Sequence, residues 1–184
     1  MSTPEHFVLL AKYNADMNRN LYAAAALLPP GELTADRKAF FGSLAGTMNH
    51  LLAGDTIWLK RFATHPANFP ALAAMDGMPQ PGGLTHSFGD DLPTLRRHRE
   101  QLDAIISAWA QQITAADLAH GFEYRSTRGD VYRKHFGSVV AHFFNHQTHH
   151  RGQASTLLTQ AGVDIGVTDL LLWVPDLGPG SVTT

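Results

Sequence analysis

Apolar residues recur at steps of three and four through four long stretches of the chain, the spacing of an amphipathic helix. In the first, Leu10, Tyr13, Met17, Leu21, Ala24 and Leu28 follow the start signal Ser2-Thr3-Pro4-Glu5. Thr3 is a suitable N-cap, and Pro4 falls where a missing N–H costs nothing. Pro29-Pro30-Gly31 ends this helix. The second is predicted from Asp36 to Ala63, with Phe41, Leu44, Met48, Leu52, Leu59 and Phe62 on one stripe and Thr64-His65-Pro66 as the stop. Its opposite face, His50 with Gly46, Ala53, Gly54 and Ile57, is also small or apolar, so burial on more than one side is expected, His50 included. The third runs roughly from Pro93 to Ile113, with Leu95, Leu102, Ile105, Ile106, Trp109 and Ile113 inward. Its Arg96, Arg97, Arg99 and Glu100 read as a solvated face. The fourth, Lys134 to Ala161 with Gly162 as its C-terminal cap, carries Phe136, Val139, Val140, Phe143, Phe144, Leu157 and Leu158.

The connections differ in kind. Pro66 to Gly89 holds four of the ten prolines and the Gly82-Gly83 pair, so it reads as a long crossover or a loop covering a site. Phe122 to Arg125 and Val131 to Arg133 flank Ser126 to Asp130 as a short hairpin, in which Arg128-Gly129-Asp130 is turn chemistry. Leu170 to Val174, stopped by Pro175, is expected to close against the helices. The prediction is an all-α four-helix bundle forming one domain over residues 1–184, with a hairpin before the fourth helix. The core of such a bundle is a usual place for a metal site.

Composition narrows the function. Among 184 residues, 14 Lys and Arg stand against 16 Asp and Glu, a balance without the basic excess that phosphate-backbone binding requires. No nucleic-acid partner is expected. The absence of cysteine excludes a thiolate nucleophile and any Cys-ligated metal. No apolar run approaches the roughly 20 residues of a membrane span, and Met1 to Glu5 does not open a signal peptide. A cytoplasmic protein is the expectation. Histidine, with 11 copies, is the residue in excess.

His142, His146 and His150 fall within about 80° of one another on the fourth helix, on the side of Val139, Gln153 and Leu157. Residues four apart have Cβ atoms about 5–6 Å apart, close enough for His146 and His150 to reach one ion. His50, on another buried helix, supplies a third imidazole, and bundle cores draw ligands from facing helices. Buried neutral imidazoles also need partners. On spacing and burial alone, a three-nitrogen metal site and a set of hydrogen-bonded structural histidines are evenly balanced.

The segments Gly46-Thr47-Met48-Asn49-His50-Leu51-Leu52 and Phe144-Asn145-His146-Gln147-Thr148-His149-His150-Arg151-Gly152-Gln153 resemble the two hallmarks of the DinB (DinB/YfiT-like) family. The order of elements, Tyr13-Asn14 in the first helix and the hairpin before the fourth extend the likeness over nearly the whole chain. The resemblance implies an up-down-down-up bundle with a divalent metal on His50, His146 and His150, nickel or zinc first and manganese or iron as alternatives. His149 matches a variable position and is excluded as a ligand. His142 matches a recurrent histidine and is read as pocket-lining, with a fourth-ligand role as the alternative. Asp16 departs from the tryptophan of close relatives, which weakens any substrate contact borrowed from the first helix.

The family includes enzymes that activate a low-molecular-weight thiol on the metal, and others proposed as hydrolases. The leading expectation is therefore a metal-dependent enzyme acting on a small-molecule substrate, with a thiol-dependent S-transferase or isomerase as its sharpest form. A non-catalytic, stress-associated metal-binding protein and a metal-free bundle acting through dimerisation stand beside it. A homodimer is expected, although no feature fixes its interface. Asn49, Asn145 and Gln153 are candidates to orient the imidazoles. Arg151 is a candidate for an anionic substrate group or a cover for the bundle end; Asp55, about 140° around the helix from His50, is read as a surface or buried hydrogen-bonding residue ahead of a general base. Affinity for the metal should fall as pH drops through about 6.5.

Overall fold

The computed structural model describes residues 2–178; the ends of the expected 1–184 domain lie outside them. The chain is mostly helical, with one small two-stranded sheet. Helix α1 spans Pro4–Ala25, its Thr3 cap accepting from the His6 N–H. Helix α2 spans Leu44–Phe62, α3 Leu92–Ala110, α4 Ala115–Ala119 and α5 Phe136–Gln160. Strands β1, Gly121–Arg125, and β2, Val131–His135, pair antiparallel with Gly121 opposite His135 and Tyr124 opposite Tyr132. The turn between them needs Gly129 at φ +92°, a conformation that costs a side chain about 1–2 kcal/mol.

Helix α1 packs on α3 and α5, and α2 packs on the same two. Their shared core is aromatic. Phe62 stacks on Trp109 with centroids 4.8 Å apart and meets Phe136 edge-on at 5.5 Å, while Phe122 and Phe143 close the cluster. No helix among the described residues is long and apolar enough to cross a membrane.

Two expectations need correction, and a third holds through a single residue. Helix α2 begins at Leu44, eight residues after the predicted start. Asp36 Oδ1 accepts the Lys38 N–H at 2.9 Å, Lys38 and Gly42 take φ of +55° and +76°, and Ser43 caps the helix through the Gly46 N–H. These local bonds hold the segment in turns, so Phe41 lies in a loop rather than on the α2 stripe. Arg99 does not face solvent: it is 3 % exposed and lies between Asp55, 2.5 Å away, and Asp103, 3.0 Å away. The closing segment, a 3-10 turn at Leu170–Trp173, docks mainly through Trp173, whose indole N–H donates to Asp16 and whose ring meets Tyr13 edge-on. Leu171 and Leu172 stay exposed.

Arg99 is compensated by all four long helices. Gln147 of α5 donates to Asp55 at 2.8 Å, and Asn18 of α1 donates to Asp103 at 2.9 Å. Arg151 donates to Asn14 of α1 and, at 3.3 Å, to Gln147. Burial pushes the Asp55 carboxyl up to about 6 against the pull of Arg99. Removing one member of such a network strands the others without water.

Candidate metal centre

Helices α2 and α5 bring His50, His146 and His150 together. His50 is 4 % exposed, His150 9 %, and His146 half-buried. The Nε2 of His50 lies 3.2 Å from that of His146 and 3.1 Å from that of His150. One nitrogen from each ring lies within 4.8 Å of the others. Three nitrogens bound at about 2.1 Å to one ion, at angles of about 90–109°, lie about 3.0–3.4 Å apart. Both distances from His50 therefore match a divalent site, and the His146–His150 pair lies within 4.8 Å.

The hydrogen bonds behind two of the rings fix their tautomers. His50 Nδ1 faces the carbonyl of Leu84 at 2.9 Å, so it carries the proton and donates. His150 Nδ1 likewise donates to Gln153 Oε1 at 2.8 Å. Both Nε2 atoms thus present lone pairs, 3.1 Å apart, with no proton to share. Such a pair repels unless a cation lies between, which is the arrangement of a metal site with its supporting acceptors.

Burial lowers the pKa of all three rings, and the neighbouring imidazoles deepen the effect at His146, which is pushed down to about 3. The rings are neutral at physiological pH, the state that binds metal.

Two close approaches shape the site. The His146 ring lies over Gly54, where a Cβ would come within 3.1 Å of its Cε1. Phe41 stacks on His50 with centroids 4.0 Å apart and meets His150 edge-on at 5.5 Å, covering one side. Its carbonyl runs so near Gly46 that a Cβ there would fall 2.0 Å from the oxygen. The sequence placed Gly54 beside His50 and Phe41 on the α2 stripe but gave neither a part in the site, and it gave no sign of the Leu84 carbonyl. Gly54 in the middle of α2 was a usable signal, because a glycine inside a helix costs about 1 kcal/mol and calls for a packing reason.

The remaining candidates divide. Gln153 orients an imidazole as expected. Asn49 instead ties down the long connection, donating to Gly89 O at 2.8 Å and accepting the Phe88 N–H at 2.6 Å. Asn145 is exposed. His142 is exposed one turn away, its ring edge-on to Trp58 and 6.0 Å from His146, and does not join the trio. His149 is exposed and hydrogen-bonds Gln153. Arg151 is buried in the network shared by the helices, and Asp55 has the buried hydrogen-bonding role.

The family model described as the DinB family matches residues 1–175. The chain belongs to the DinB family. No curated protein and no solved structure gives a match. In this DinB protein the matched region contains all three histidines and the Leu84 and Gln153 acceptors behind them. Within that region the three convergent nitrogens could hold a metal ion.

Proposed function

We propose that the protein is a metal-dependent enzyme in which Nε2 of His50, His146 and His150 holds one divalent ion, nickel or zinc. The observation that carries this reading is the convergence of the His50 and His150 Nε2 lone pairs, whose rings donate their only protons away from the site, with His146 Nε2 3.2 Å from that of His50. Three neutral ligands leave the ion its full charge, so a thiol or water beside it becomes more acidic.

The chain's own residues support and shield the site. Leu84 and Gln153 keep the lone pairs pointed inward, and Phe41 limits solvent on one side. Asp55 is engaged by Arg99 and Gln147 and is not free to act as a base. With no cysteine in the sequence, thiol chemistry requires a thiol brought by the substrate. The reading is a thiol-dependent transferase or isomerase acting on small molecules, a cytoplasmic homodimer built from up-down-down-up bundles. The packing of α1 and α2 on the same two neighbours supports that topology.

Metal-loaded protein, metal-free protein and His146→Ala should be assayed with a panel of low-molecular-weight thiols and a chromogenic electrophile. Turnover only in the metal-loaded wild type is expected. Metal-loaded protein inert with every pair would overturn the thiol-dependent reading.

A further inference from the structure

Helix α2 continues from the histidines toward a second chemistry. One turn beyond Gly54, Ile57 lines a cavity of about 470 Å³ between the end of α2 and β1. Its wall carries Lys60, Arg61 and Arg125 against one carboxylate, Glu123. Among the described residues none of these cations forms an ion pair. Lys60 donates to the Met75 carbonyl at 2.7 Å, and Arg125 to that of Gly129 at 3.2 Å.

Arg61 is different. Its guanidinium carbon lies 4.6 Å from the Trp58 ring centroid and 5.3 Å from that of Tyr124, and its N–H groups donate to no described residue. A guanidinium presents five donors in a planar fork. Aromatic stacking satisfies its faces and leaves that edge open. The side chain is half-buried, and burial lowers its pKa, so the open donors already lack part of their hydration. Two rings hold it in place, which reduces the ordering cost of binding a ligand.

We propose that this cavity is an oxyanion subsite, in which Arg61 takes a carboxylate or phosphate group of a small-molecule substrate as a bidentate pair and Lys60 and Arg125 add charge. The assignment to substrate rests on the metal-enzyme reading above; the anion binding does not. Ring contacts run from Arg61 through Trp58 and His142 to His146. Seven residues separate Gly54 from Arg61, about 10 Å along the helix. A small molecule with its reacting group at the histidines and an anionic group at its other end spans that distance.

The test is a tryptophan-fluorescence titration with succinate and with inorganic phosphate, against sodium chloride of matched ionic strength. The proteins are wild type, Arg61→Gln, Arg61→Lys and His146→Ala. Saturable binding is expected for at least one oxyanion, weakened about tenfold or more in Arg61→Gln, as loss of a charge-assisted pair predicts, and less in Arg61→Lys. The tighter of the two probes identifies the anion class. His146→Ala should bind as wild type does. No saturable response beyond chloride, or a folded Arg61→Gln that binds within about twofold of wild type, overturns the subsite. If circular dichroism shows Arg61→Gln unfolded, Lys60→Gln with Arg125→Gln takes its place; about fivefold weaker binding supports the subsite and unchanged binding overturns it. Arg61-dependent binding by a protein that proves inert as an enzyme would bring down the catalytic reading alone.

Discussion

Gly54→Ala tests how closely α2 and α5 must approach at the histidines. The new Cβ would come within 3.1 Å of His146 Cε1, about 0.4 Å inside the distance at which carbon atoms begin to pack favourably. Ligand distances in metal sites hold to about 0.2 Å, so relief of the contact moves His146 beyond what the ion tolerates. A tenfold to hundredfold loss of zinc affinity is expected, about 1.4–2.7 kcal/mol. Without metal the half-buried ring can turn aside, and alanine adds about 1 kcal/mol of helix propensity that offsets the crowding. The metal-free Tm should therefore stay within about 4 °C of wild type. At zinc 100 times the wild-type Kd, the wild type gains about 2.7 kcal/mol and a variant bound tenfold more weakly gains about 1.4. Competition against a chromogenic chelator and paired thermal melts measure both quantities. A folded Gly54→Ala with wild-type zinc affinity would refute the proposed role of the close approach.

Gln153→Leu removes the acceptor of His150 Nδ1 and should weaken metal binding about tenfold while leaving the helical circular dichroism unchanged; equal affinity in the two proteins would contradict the assigned tautomer. Arg99→Met leaves Asp55 and Asp103 buried without their cation and should cost about 3–5 kcal/mol in urea unfolding; a loss below about 1 kcal/mol would show the network to be dispensable. Gly46→Ala drives a Cβ into backbone at the Phe41 carbonyl and should displace the 36–43 loop, seen as faster proteolysis there, whereas a wild-type cleavage pattern would contradict the close approach. Unfolded histidines protonate near 6.5 while the buried trio stays neutral to lower pH, His146 to about 3, so the metal-free protein loses stability as pH falls below 6.5. Between pH 8 and 5 the wild type should lose about 1 kcal/mol more than His146→Ala, after allowance for solvent screening; identical losses would contradict the depressed pKa.

The features readable in advance were those written as periodicity. Stripes at three and four residue steps located α1, α3 and α5, and Gly129 between two β-rich runs located the hairpin. The histidines were legible because His146 and His150 share the apolar side of one helix and His50 occupies a second small-residue face of another. Arg99 was misread by residue type: it stands four after Leu95 and three before Leu102, inside the apolar stripe, where Asp55 of α2 and Asp103 of its own helix balance its charge and Gln147 and Asn18 hold those carboxylates. The start of α2 was hidden because Phe41 continues the helical spacing while turn bonds at Asp36 and Lys38 decide the local backbone. Leu84 acts through its carbonyl, which every residue possesses, so the side-chain pattern carried no sign of it.

The most direct test of the three-histidine centre is elemental analysis of untagged protein, purified without a chelating column, beside His50→Ala and His146→Ala. About one divalent metal per chain in the wild type, lost in both variants, is the predicted result. Wild-type protein that carries no metal and takes up none on titration with zinc, nickel or manganese would contradict it and leave the converging histidines without a cation to hold.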